Sequence, residues 1–194
     1  WKGSGKLMPK FYPLIKRSLH ILWKGWIVKF ALNFSQPFLY ITAMGAGIGS
    51  YIHEMSGVSY LTYVATGIVA SIPMYEAAFS CTYDVFVRMY YQKIYQSMLT
   101  TPIGIREIVI GEVFSAVIKS LLFGLINSWM APVALLPIAL LALIFALLSL
   151  SVTAIVPFID YFNFYTLLFI TPAYLFSGVF FPISTLPDWA QLLI

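Results

Sequence analysis

Residues 132–156 read PVALLPIALLALIFALLSLSVTAIV, without one charged side chain. The hydrocarbon core of a bilayer is about 30 Å thick and takes about 20 mostly apolar residues in a helix. This stretch is therefore expected to span it. The same pattern recurs outward at 105–129, 162–181, 60–86 and 30–52, which makes five expected spans. The connections at 53–59, 87–104, 130–131 and 157–161 are short. The expected fold class is an all-α membrane protein, a polytopic helical bundle.

Composition supports this. The chain has 194 residues, 61% hydrophobic and only 9% charged, with a formal net charge of +4. A soluble domain carries roughly 25% charged residues, so this chain could not cover a water-facing surface. That argues against a soluble enzyme and against a nucleic-acid partner, even though the balance is basic. The basic residues lie at the edges of apolar segments, where membrane lipids account for them. Cys81 is the one cysteine, so neither an intramolecular disulfide nor a cysteine metal cluster is expected. No apolar core followed by a small-residue cleavage site follows the basic N-terminus, so the apolar segments are read as structural spans.

Residues 11–29 differ from the rest. Tyr12, Ile15, Leu19, Leu22, Trp23 and Trp26 recur at helical spacing, while Lys16, Arg17, His20 and Lys24 fill most of the other face. That is the pattern of an amphipathic helix lying in the membrane interface. Orientation follows the Lys/Arg count on each loop. Lys2, Lys6, Lys10, Lys16, Arg17, Lys24 and Lys29 precede the first span, and Arg88, Lys93 and Arg106 flank the second connection. The connections at 53–59 and 130–131 carry none. Both basic regions fall on one side, which is expected to be cytoplasmic together with the N-terminus.

Catalytic chemistry finds no residues here. Gly3-Ser4-Gly5-Lys6 is followed by Leu7 and has neither the spacing nor the hydroxyl of a phosphate-binding loop. Gly45, Gly47 and Gly49 do not make a dinucleotide fingerprint; small residues there are expected to let a neighbouring helix approach. His20 and His53 are isolated, and no metal-ligand spacing is present. No catalytic site, metal site or cofactor of its own is expected in this chain.

Ionisable groups within spans carry a high desolvation cost and are functional candidates. Glu76 lies midway along the second span, and Glu112, Ser115, Lys119 and Asn127 fall near one face of the third. That stripe either lines a pathway, or Lys119 pairs with Glu76 or Glu112 as structural glue. Asp84 and Arg88, four residues apart, can pair on a helix surface. Pro73 and Pro172 lie within spans and mark bends or hinges. In the connection at 87–104, the longest of the four, Tyr90, Tyr91, Ile94, Tyr95, Met98 and Leu99 form an apolar stripe flanked by Arg88 and Lys93. It fits either a hydrophobic groove on a partner or lipid alone. Thr100, Thr101, Pro102, Ile103 and Gly104 would end that helix.

Two strings go beyond composition. One runs from Phe86 to Gly104 and on through Ile108-Val109-Ile110-Gly111-Glu112. The other is Thr171-Pro172-Ala173-Tyr174-Leu175-Phe176-Ser177-Gly178-Val179-Phe180-Phe181-Pro182, followed by Leu186-Pro187-Asp188-Trp189. Both resemble the permease subunits of type-2 ATP-binding-cassette (ABC) exporters, in the branch that exports nodulation factors, polysaccharides and drugs.

The resemblance covers nearly the whole chain. It implies a type-2 transmembrane domain over 1–194 with an N-terminal interfacial helix and six spans, working as a dimer of two copies in the bacterial inner membrane. A separate ATP-binding-cassette ATPase subunit would bind ATP and Mg. Arg88, Tyr91, Lys93, Ile94, Tyr95, Met98, Leu99, Thr100 and Pro102 would belong to the coupling helix that docks in it. Gly178, Phe181, Pro182, Pro187 and Trp189 would belong to an extracellular re-entrant segment, 182–194 and its approach, before the sixth span. The chain ends at Ile194, so five of the six spans are expected within it. The expected function is the pathway of an ATP-driven exporter for an amphipathic, lipid-linked or saccharide-type substrate or drug. Two other readings stand beside it: an ion-coupled secondary transporter using Glu76 and Lys119, and a membrane scaffold that recruits an ATPase.

Overall fold

The structure, a computed structural model, describes residues 12–52, 54–55, 57–127 and 135–180. Helix α1 (Tyr12–Lys24) ends at Gly25, and α2 (Trp26–Ala46) follows at once. The backbone then makes a short 3-10 turn (Ile48–Ser50) and a two-stranded hairpin, β1 (Glu54–Met55) and β2 (Val58–Ser59), paired Glu54 to Ser59 and Met55 to Val58. Helix α3 (Tyr60–Phe79) continues through two wide π-type turns, Ser80–Asp84 and Val87–Tyr91. Then come α4 (Ile94–Leu99), α5 (Ile105–Asn127), α6 (Leu135–Ile155) and α7 (Tyr161–Tyr165). A third π-type turn (Thr166–Ile170) joins α7 to α8 (Thr171–Phe176).

Helix α6 shows the governing pattern. Ala142, Ala146, Ser149 and Thr153 are buried on one face, while Leu136, Leu140, Ile144 and Leu147 are exposed. In water the large aliphatic groups would turn inward. In lipid they gain nothing by doing so, and small residues let backbones approach closely. Helices α3, α5 and α6 pack on one another along such residues: Ala77 and Cys81, Ala116, and Ala142 and Ala146 form one cluster with Val113. Helix α2 leans on α3, and α1 lies against α5.

Among the described residues, the helix Tyr60–Tyr91 and helix α6 are long and apolar enough to cross a membrane by length and composition. The helices fall near the five expected segments but differ in detail. The amphipathic segment expected at 11–29 stops at Lys24. The chain leaves the helix at Gly25, and Trp26 opens α2. The face of α1 that meets the bundle is Leu14 and Ser18, while Trp23 and Trp26 are exposed. The second helix runs past residue 86 to Tyr91. The last ends at Phe176, and Ser177–Phe180 fold back in its place. The connection at 130–131 and residues 181–194 lie outside the described residues, as do Phe181, Pro182, Pro187 and Trp189.

Two glycines meet neighbouring elements, and at Gly67 the approach requires glycine. A Cβ on Gly45 would sit 2.5 Å from Leu61 Cδ1, the end of a flexible side chain on α3, while Gly49 has only ordinary contacts at 3.6 Å and beyond. A Cβ on Gly67 would meet Val179 at its Cγ1 (2.9 Å), Cα (3.0 Å) and carbonyl oxygen (3.1 Å). Backbone lies in that path, and backbone cannot swing aside. The segment after α8 is thereby seated on α3, where the Tyr63 hydroxyl donates to the Gly178 carbonyl at 2.7 Å.

Gly67→Ala is expected to lift that segment and lower stability by about 1–3 kcal/mol, the usual range for overpacking. Gly25→Ala, whose Cβ would meet only ordinary contact at 3.7 Å, is expected to change little. Thermal unfolding of the detergent-solubilised protein compares the two.

Candidate functional site

The wide turn Val87–Tyr91 ends α3. The Gln92 N–H bonds the Val87 carbonyl, five residues back, at 2.9 Å. Lys93 then takes φ +52, the left-handed region that non-glycine residues seldom adopt. Helix α4 starts directly after it. Tyr95 on α4 is buried among Leu14 of α1, Val85 of α3 and Ile108 of α5. Met98 and Ile103 pack partly buried beside it.

Two side chains converge on Glu112 of α5. The Tyr95 hydroxyl donates to Glu112 Oε1 at 2.7 Å, and Arg88 Nη2 donates to Oε2 at 2.9 Å. The side chains of Arg88 and Glu112 are 9% and 5% exposed. Such short bonds to an ionised group are the strong class of hydrogen bond. Burial, reinforced by the Glu112 carboxylate, raises the Tyr95 pKa, so its phenol keeps the proton it donates.

A second polar layer lies about two turns further along α5. Lys119, 2% exposed, donates to Ser80 Oγ at 2.7 Å and lies 3.7 Å from Asp84 Oδ2. Both partners belong to the wide turn Ser80–Asp84. That turn also offers the Cys81 carbonyl to the Thr153 hydroxyl of α6 at 2.8 Å. A π-type turn disturbs the regular ladder, and neighbouring side chains complete its bonding. Ser149 of α6 meets the Tyr165 hydroxyl at 3.0 Å.

Two charge contacts cross between helices. Glu112 takes Arg88, and Lys119 lies beside Asp84. The Arg88 guanidinium and the Glu112 carboxylate, both buried, offset each other's desolvation. Ser115 is buried and bonds its own helix at the Glu112 carbonyl; Glu76 is half-buried on α3. The apolar stripe expected to face a partner as one surface is divided. Tyr95 faces the bundle and Met98 and Ile94 are half-buried, whereas Tyr91, Lys93, Leu99, Thr100 and Pro102 are exposed. Tyr95 thus does not lie on the outer face, and Met98 lies on it only in part. The cause is the break at Lys93, which resets the helical phase between Tyr91 and Ile94.

Sequence spacing had not singled out a cleft of about 450 Å³ between α2, α3 and the α7–α8 arm, lined by Tyr40, Met44, Tyr75, Tyr174 and Phe180 among others. Its tyrosines lie too far apart in the chain for any local pattern to join them. Among the described residues, no group of His, Cys, Asp and Glu could hold a metal ion.

The family model described as "ABC-2 type transporter" matches residues 9–194. Nodulation protein J of Sinorhizobium fredii is 33% identical over 208 residues, covering 100% of this chain and 79% of that protein. Nodulation protein J of Rhizobium leguminosarum bv. trifolii is 37% identical over 183 residues, 88% and 70% of the two chains. The inner membrane transport permease YadH of Escherichia coli is 22% identical over 188 residues, 90% and 72%. No solved structure gives a significant match.

Removing one partner of a buried ion pair costs about 3–5 kcal/mol, whereas replacing both with apolar groups is often close to neutral. Glu112→Ala is therefore expected to destabilise strongly, and Arg88→Met with Glu112→Leu far less. Thermal unfolding of both variants in detergent reads the difference.

Proposed function

We propose that this chain, which belongs to the ABC-2 type transporter family, works as two copies that form the pathway of an ATP-driven exporter in the bacterial inner membrane. A separate ATP-binding-cassette subunit supplies the energy, binding ATP and Mg outside this chain. Residues 88–104 meet that subunit. The observation that carries this reading is the two-sided build of the stretch. Tyr91, Lys93, Leu99, Thr100 and Pro102 are exposed, while Tyr95 is held inside. An exposed aromatic and aliphatic face beside a lysine suits a shallow groove on a soluble partner.

The exposed aliphatic and aromatic faces of the helices suit an amphipathic, lipid-linked or saccharide-type cargo or a drug. The 12–24 helix lies in the cytoplasmic interface, with Trp23 at headgroup depth and Lys16 and Lys24 toward anionic lipid. The hairpin at 54–59 faces outside.

Tyr91→Asp with Leu99→Asp places two charges on the docking face. Each buried Leu-sized side chain contributes about 1.5–3 kcal/mol, so binding of the ATPase subunit is expected to weaken by tenfold or more with the helices still folded. Co-purification and stimulated ATPase rate measure it, and undiminished binding would place the contact elsewhere.

Single cysteines at Glu54 and Lys93, read against the buried Cys81, are expected to label from outside and inside respectively in intact cells. The reverse pattern would invert the topology.

A further inference from the structure

One carboxylate joins three elements. Glu112 of α5 accepts from Tyr95 of α4 on one oxygen and from Arg88 of α3 on the other. Helix α4 has only six residues, far too few to hold a position by its own helicity. Behind it stands the left-handed Lys93. What holds α4 is the apolar contact of Tyr95 with Leu14, Val85 and Ile108, and the phenol bond to Glu112.

These two attachments do different work. Apolar contact is non-directional and tolerates sliding. A hydrogen bond to a carboxylate fixes distance and angle. In a buried site, breaking either bond to Glu112 strands a charge or a polar group without water to replace the partner. A push on α4 therefore carries Glu112 with it, and Arg88 with Glu112. The Lys119 contacts to Ser80 and Asp84 tie the same two helices again about two turns away.

We propose that Glu112 is the joint through which α4 moves α3 and α5 as one body, with Tyr95 as the positioning residue that locks α4 to it. The inference rests on the reading of residues 88–104 as the surface that meets the ATPase.

The test uses the assembled complex with its ATPase subunit in lipid nanodiscs. Spin labels sit at Gln96→Cys on α4 and Leu122→Cys on α5, both exposed sites, while native Cys81 is buried and does not label. With the wild-type joint, a single distance between the labels is expected, unchanged when a non-hydrolysable ATP analogue is added. Tyr95→Phe keeps the ring packing and removes only the hydroxyl. It is expected to show the same distance without nucleotide, and a shifted or split distance once the analogue binds. Tyr165→Phe, which loses a hydroxyl bond to Ser149 elsewhere in the bundle, is expected to match the wild type in both states.

The proposal is overturned if Tyr95→Phe keeps the single distance with nucleotide bound, if Tyr165→Phe shifts alike, or if the wild-type distance itself moves. Failure of any ATPase subunit to co-purify is read earlier, at assembly. It would overturn the proposed function and this inference with it, whereas an assembled complex with an indifferent Tyr95→Phe overturns this inference alone.

Discussion

Lipid offers a helix no water to escape from, and that constraint organises the molecule. Large aliphatic groups can stay on the outside, so close packing has to come from small ones. Ala77, Cys81, Ala116, Ala142 and Ala146 let α3, α5 and α6 meet at short range, where dispersion and hydrogen bonding between helices replace the hydrophobic drive. The outer Leu and Ile of α6 follow from the same rule.

Within that frame the polar groups gather where they can satisfy one another. Glu112, Lys119 and Arg88 are all buried, and each has a partner on another helix. The wide turns of α3 are part of this arrangement. One carries Arg88 and the other carries Ser80, Asp84 and the Cys81 carbonyl that Thr153 reaches. A straight, regular α3 would offer fewer such groups to α5 and α6. The Glu112 layer lies toward the end of the bundle where α4 sits, which is the end the ATPase reading assigns to the cytoplasm.

Much of the fold was legible in advance. Uncharged runs near the thickness of the bilayer, basic loops alternating with neutral ones and the strings at 86–112 and 171–189 led to an α-helical membrane chain and to the family that the comparisons show. The candidate site was legible only as an inventory. Arg88, Tyr95, Glu112 and Lys119 were singled out by residue type and position. Their pairing was not, because i,i+4 spacing sees one helix at a time, and these bonds cross 17, 24 and 39 residues of chain.

The apolar stripe at 90–99 shows the limit most clearly. Its periodicity presumes one continuous helix, yet the chain breaks at Lys93 and restarts with a new phase. Sequence by itself determined what belongs in lipid and what belongs at its edge, since transfer free energy is a property of each side chain and its near neighbours. Tertiary structure alone decided that Tyr95 turns inward to Glu112 while Tyr91 and Leu99 stay outside. A buried carboxylate chooses its partners by distance in space, and that distance exists only once the helices have packed.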